Sequence, residues 1–372
     1  MSRTLRILHT ADLHLDSPFE GLSRSKAAIR RGEQRRLLTA LADCARRESV
    51  DLVLLPGDLL DSTSAYLETG EELVQSLEHM GAPVFIAPGN HDFISLRSPY
   101  LRLKMPENVH IFASPELEFI DLPALGARVY GAGFTEAHSA PLLRDFTAPR
   151  EDGVFNILCM HADLTSPNSP YNPVSTAELA ASGMDYAALG HVHKESGLLR
   201  AGQTWYSYPG CPEGRGFDET GEKHINLIEL SETDCRLYPL TVASRRYESI
   251  SVDISDRDAL LAVHAALPDE TVRDIYRITL TGETDAPAAL TKLYEQLSEL
   301  FFELQLRDKT RIRKSMWERA GENSLRGLFL TKLKKLYDEA EDDKARERAE
   351  QSARWGLAAL DGAEEVVQHE DK

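Results

Sequence analysis

Asp51-Leu52-Val53-Leu54-Leu55-Pro56-Gly57-Asp58 sets an apolar run directly before a turn that ends in a carboxylate, and four other segments likewise set metal-suited donors just past an apolar run. Leu5-Arg6-Ile7-Leu8 leads to Asp12-Leu13-His14, and Pro83-Val84-Phe85-Ile86 to Gly89-Asn90-His91-Asp92. Phe155-Asn156-Ile157-Leu158 leads to His161, and Tyr186-Ala187-Ala188-Leu189 to Gly190-His191-Val192-His193. Short apolar runs bounded by Gly, Pro or polar residues suit buried strands. Strand ends in a layered α/β fold converge on one edge, so these five segments are expected to meet there.

Asp12, His14, Asp58, Asn90, His161, His191 and His193 are seven side chains suited to divalent cations, and His91 is one more imidazole beside them. Two such ions roughly 3.5–4 Å apart need a shared anionic bridge, while imidazole, carboxylate and amide oxygen complete the shell. Asp58 is the candidate bridge. Each segment alone has an ordinary explanation: Gly-Asp and Gly-Asn are common turn chemistry, and a lone His161 would pass for a core histidine. Their order, each after its own strand, points to a metal centre.

Thr10-Ala11-Asp12-Leu13-His14-Leu15-Asp16-Ser17-Pro18-Phe19, Pro56-Gly57-Asp58-Leu59-Leu60-Asp61 and Ala87-Pro88-Gly89-Asn90-His91-Asp92 resemble the calcineurin-like metallophosphoesterases. Within that superfamily the chain is similar to the DNA repair exonucleases of SbcD and YhaO type, strongly over residues 1–240. The resemblance implies an α/β fold: a metallophosphoesterase β-sandwich flanked by helices (1–240), a small α+β capping domain (247–310) and a C-terminal helical tail (311–372). It implies that Asp12, His14, Asp58 and His193 hold one ion and that Asp58, Asn90, His161 and His191 hold the other. His91 then stays free of metal as the catalytic group that faces the scissile phosphate, a role suited to an imidazole near neutral pH. Asp92 is expected to orient a histidine from behind, and Asp16, Asp61 and Asp163 to be turn or outer carboxylates.

The cofactors expected are two divalent metal ions. The ligand types are compatible with Mn, Fe, Zn or Co, and Mn²⁺ is the ion that the resemblance implies. The function so implied is a two-metal-dependent DNA exonuclease or endonuclease in DNA repair, hydrolysing phosphodiesters through ion-activated water. Its implied setting is the nuclease subunit of an SbcCD-like complex, with DNA and an SMC-like, AAA-type ATPase as partners. A homodimer through the helix from about Arg30 to Glu48 is a further implied partner arrangement. The alternative is a metallophosphoesterase that acts on a small nucleotide or pyrophosphate with the same ions.

A formal charge of −18 is the wrong sign for nonspecific attraction to DNA, whose binding rests on phosphate neutralisation. Local distribution softens that objection, since Arg24, Lys26, Arg30, Arg31, Arg35 and Arg36 cluster directly after the first metal segment. Arg30 and Arg31 are candidate DNA or phosphate contacts, with a solvated helix face as the plainer reading. Arg215, in the Gly/Pro-rich stretch Tyr208–Phe217, is a third, and an exposed turn arginine is its plainer reading. The 372-residue chain shows no long apolar segment and no signal-peptide pattern at its start, so no membrane is expected. Cys44, Cys159, Cys211 and Cys235 form no C-x-x-C pair and suit a reduced, cytoplasmic protein. Cys211 lies in the loop expected at the site.

Past His193, Gly197-Leu198-Leu199, Gln203–Tyr206 and Ile225–Leu230 have the pattern of strands that complete the sandwich. From about residue 247 the pattern alternates as β-α-β-α-β: Ser249–Ile254, a helix from Asp256 to about Ala266, Asp274–Leu280, a helix from Ala286 to Leu300, and Phe302–Leu306. From about Ser324 to Leu360 the chain is charged and helical in period. Leu325, Leu328, Phe329, Leu333, Leu336 and Tyr337 form an apolar stripe there, suited to a partner or to packing on its own domain.

Overall fold

The computed structural model describes residues 3–284 and 287–360, and divides the chain into two units, Met1–Arg246 and Tyr247–Lys372. Elements of the first unit, in chain order, are β1 (Thr4–His9), α1 (Arg24–Arg47), β2 (Leu52–Leu55), α2 (Leu67–Met80), β3 (Val84–Ile86), α3 (Pro99–Arg102) and β4 (Val109–Ile111). There follow β5 (Glu118–Leu122), β6 (Ala127–Ala132), β7 (Phe155–His161), α4 (Thr176–Ala181), β8 (Tyr186–Gly190), β9 (Leu199–Ala201), β10 (Thr204–Ser207), β11 (His224–Ser231) and β12 (Cys235–Thr241).

These strands form two six-stranded sheets, ordered β12-β11-β1-β2-β3-β4 and β5-β6-β7-β8-β10-β9. Their facing sides share one core, in which Ile7, Leu54, Phe85, Ile157, Tyr186 and Ile228 interdigitate. Leu37, Leu38 and Leu41 of α1 and Leu73 and Leu77 of α2 cover the outer face of the first sheet. The outer face of the second is closed by Leu143, Val174, Leu179 and Met184. The expected sandwich flanked by helices is what the first unit forms.

β1, β2 and β3 run parallel, with Ile7 opposite Leu52 and Val53 opposite Val84, and β7 runs parallel to β8, with Ile157 opposite Tyr186. Parallel strands entering from one side deliver all their following turns to the same edge, which is why distant segments meet. Behind that edge a buried polar chain crosses the core. His9 Nδ1 lies 2.8 Å from the Tyr186 hydroxyl, which lies 2.7 Å from Ser207 Oγ, and Asn226 donates to Ser207 at 3.1 Å. All four cysteines are buried and free.

The second unit holds β13 (Tyr247–Asp253), α5 (Ala259–Ala266), β14 (Ile275–Thr281), β15 (Glu283–Thr284), α6 (Leu290–Leu297), β16 (Glu303–Asp308), β17 (Arg311–Ile312), α7 (Leu325–Asp338) and α8 (Asp343–Leu360). β13, β14 and β16 make a parallel three-stranded sheet against which Val263, Leu293 and Leu297 pack. The expected start of the second cap helix at Ala286, and tail residues 361–372, lie outside the described residues.

The three-stranded sheet and α8 share this unit, where Arg354 of α8 donates to Asp308 and to the Thr310 carbonyl, each at 2.8 Å. The apolar stripe of α7 also divides. Phe329 and Leu333 pack with Leu330, Trp317 and Leu357, whereas Leu325, Leu328 and Leu336 stay exposed. Among the described residues no helix is long and apolar enough to cross a membrane.

Candidate metal centre

All seven expected ligands gather at the strand edge, and the backbone that carries them is unusual. Asp12, His14, Asp58 and His191 all have positive φ, at 55°, 43°, 50° and 105°. Non-glycine residues rarely adopt this conformation, and it concentrates at sites that the surrounding fold over-determines. Two glycines make the close approach feasible. A Cβ on Gly57 would meet His161 Nδ1 at 2.5 Å, and one on Gly89 would overlap the Asp58 carboxylate.

Asp12, His14, Asp58 and His161 are almost completely buried, while Asn90, His191 and His193 are half-buried. His14 Nε2 faces His193 Nε2 at 3.2 Å, and His161 Nε2 faces His191 Nδ1 at 3.2 Å and Asn90 Oδ1 at 3.0 Å. The outer nitrogens are committed elsewhere. His14 Nδ1 lies 3.1 Å from Asp61, His193 Nδ1 2.8 Å from Glu219, and His161 Nδ1 3.0 Å from the Pro56 carbonyl. His191 turns its Nε2 toward Asp163, 3.7 Å away. In the tautomers that place each ring proton on the outer nitrogen, the inner nitrogens face each other as lone pairs. That donor set fits a cation in each cluster.

Charge supports the same conclusion. Burial, followed by the nearby Asp58 charge, pushes the Asp12 carboxyl well above its usual range. Burial also lowers His14, His161 and His191 to about 4, which keeps these rings neutral and able to ligate. Asp58 Oδ2 stands 3.7 Å from His14 Nε2 and 3.5 Å from His161 Nε2, between the two histidine clusters. Donor atoms of Asp12, His14 and His193 lie within 4.8 Å of one another, as do those of Asp12, Asp58 and His161. His14, Asp58 and the exposed His91 form a third such group.

Two expectations are corrected. Arg30 is not a DNA or phosphate contact: its guanidinium is fully buried, bonded to Glu33 at 2.7 Å, Glu213 at 2.6 Å and the Gly214 carbonyl at 3.0 Å. Asp92 does not orient a histidine. Its carboxylate accepts the backbone N–H groups of Asp58, Leu59, Leu60 and Gly89 and the Tyr100 hydroxyl, so it braces the two turns that carry Asp58 and Asn90. Arg31 lies on the surface side of α1, reaching the Pro18 carbonyl at 3.4 Å. Asp16 ties its turn to Tyr66 and Thr69. Glu219 and Tyr100 escape sequence reasoning. The Arg215-x-x-x-Glu219 spacing is the one signal that could have found Glu219.

The calcineurin-like phosphoesterase family matches residues 5–195, and the chain belongs to that family of phosphoester hydrolases, which use divalent metals. It is 32% identical to the uncharacterized metallophosphoesterase YhaO of Bacillus subtilis, over 72% of this chain and 68% of that protein. It is 30% identical to the DNA double-strand break repair protein Mre11 of Aeropyrum pernix, over 68% of this chain and 64% of that one. Identity to the SbcD component of the nuclease SbcCD of Bacillus subtilis is 25%, over 60% and 66% of the two chains. The chain thus spans just under two thirds of the length of the latter two relatives.

Proposed function

We propose that the protein is a two-metal phosphodiesterase that cleaves DNA, as the nuclease subunit of a complex with an SMC-like ATPase. The observation that carries the reading is the two pairs of facing imidazole nitrogens, His14 with His193 and His161 with His191, on either side of Asp58. Asp12, His14, Asp58 and His193 would hold one ion, and Asp58, Asn90, His161 and His191 the other, Mn²⁺ being the favoured metal. Such ions, when bound, polarise the phosphate and activate water.

The chain's own contribution is orientation and proton handling. His91 is exposed, its Nδ1 lies 3.2 Å from the Asp61 carbonyl, and its backbone N–H is fixed on Asp58. The carbonyl takes Nδ1–H, so Nε2 would give a proton to a leaving oxygen from the doubly protonated ring, which returns to the neutral form as the proton leaves. DNA as substrate is supported by the similarity to Mre11, a DNA double-strand break repair protein, and to the nuclease SbcCD. An ATPase partner is supported by the exposed Leu325, Leu328 and Leu336 on α7.

The test is a substrate panel of linear duplex, hairpin, single-stranded DNA and mononucleotides with added Mn²⁺. Cleavage of the DNA forms is expected, and preferential hydrolysis of a mononucleotide or pyrophosphate would overturn the reading in favour of a small-molecule enzyme. Co-purification with the ATPase should be lost in Leu328→Glu/Leu336→Glu, with cleavage of a simple phosphodiester unchanged.

A further inference from the structure

Two imidazoles at one end of the site share a single support on their far side. Asp61 Oδ1 lies 3.1 Å from His14 Nδ1 and 3.2 Å from Arg215 Nη1. Arg215 Nη2 donates to Glu219 Oε1 at 2.7 Å, and that same oxygen lies 2.8 Å from His193 Nδ1. A continuous path therefore runs His14–Asp61–Arg215–Glu219–His193, closing on itself where the two Nε2 atoms face each other at 3.2 Å. Arg215 Nη2 also lies 3.1 Å from His193 Nδ1. The carboxylate is nearer and accepts only from a protonated nitrogen, so Nδ1–H belongs to the Glu219 contact and the arginine serves the carboxylate.

We infer that Asp61, Arg215 and Glu219 form a clip that sets the tautomer and spacing of His14 and His193 together, and that Arg215 is a positioning residue rather than a phosphate contact. This rests on the two-metal reading. The guanidinium is occupied on both sides by carboxylates and is four-fifths buried, which leaves little of its fork for a ligand. It is also held from behind. Buried Arg30 bonds Glu213 and the Gly214 carbonyl, pinning to α1 the residue that directly precedes Arg215. Partners of this kind set ligand orientation and basicity, and removing one typically costs about 10–100-fold in metal affinity. The second cluster leans on other supports, the Pro56 carbonyl and Asp163, so the clip serves one ion and not both.

The experiment is calorimetric titration of metal-stripped full-length protein with MnCl₂, for wild type, Arg215→Gln and the milder Glu219→Gln. Wild type should show two tight sites. Each variant should keep one tight site and weaken the other about 10–100-fold, and the surviving tight site serves as an internal check that the protein is folded. In parallel, KM and kcat for bis-nitrophenyl phosphate are measured at saturating Mn²⁺, where the variants should approach the wild-type KM. Two unchanged sites with a raised KM would make Arg215 a phosphate contact and overturn the inference, and equal weakening of both sites would overturn it as well. Because the titration needs no nucleic acid, a protein that split its sites as expected but ignored DNA would refute the proposed substrate and leave the clip standing.

Discussion

Asp58 Oδ1 accepts the backbone N–H of His91 at 2.9 Å, so the carboxylate is turned until Oδ2 faces both His14 and His161. One hydrogen bond thus couples the oxygen proposed to bridge the ions to the residue proposed to handle the proton. Replacing the charge while keeping the shape isolates the bridge.

Asp58→Asn should lose both ions and abolish hydrolysis. Its effect on metal affinity should exceed the ~10–100-fold cost of losing an outer hydrogen-bond partner, because both clusters share this oxygen. Elemental analysis of dialysed variant and wild type is the check, and full two-ion occupancy with normal turnover would remove Asp58 from the bridging position.

His91→Ala should retain its metals and lose turnover by about 10²–10⁴-fold, the range of a general acid. The same metal analysis separates the roles. A variant that binds one ion fewer would make His91 a ligand, an outcome its proximity to His14 and Asp58 makes worth measuring.

Asp92→Ala should destabilise the fold, by about 1–3 kcal/mol for each buried backbone donor or the Tyr100 hydroxyl that it leaves unpaired. Urea midpoints at neutral pH test this. A near-wild-type midpoint would show that water replaces the carboxylate without loss.

A pH effect should trace to Glu33. Burial pushes its carboxyl up, but hydrogen bonds from Arg245 and Arg30 outweigh that and leave it below its usual 4.5. The folded value lies below the unfolded one, so the stabilisation is complete above about pH 4.5 and is lost as pH falls through the folded value. Wild type should therefore lose its advantage over Glu33→Gln as urea midpoints are followed downward from pH 6. A constant gap across that range would contradict the assignment.

The strands that lead to the candidate ligands are legible because each is an apolar run followed within a few residues by a metal-suited donor, with a Gly or Pro turn between them at Pro56-Gly57, Pro88-Gly89 and Gly190. Arg30 was misjudged by composition although its phase was visible, since Ala27, Arg30, Gln34, Leu37 and Leu41 fall on one buried helical stripe. The clip was illegible for a different reason. Arg215 meets Asp61 across 154 positions and His193 meets Glu219 across 26, and no local pattern encodes such pairings. In α7, Leu330 sits deepest although it was outside the expected stripe, because Ala353 and Leu357 of α8 fix which side faces inward.

The left-handed backbone at Asp12, His14 and Asp58 bears on how this scaffold could lose its chemistry. Glycine and asparagine settle into that conformation more easily than most side chains. Drift to glycine at these turns would remove the candidate donors, and drift to asparagine would leave only a neutral amide oxygen, in both cases with strand, turn and sandwich intact, so descendants of this architecture with weakened or lost chemistry would be recognised at these turns.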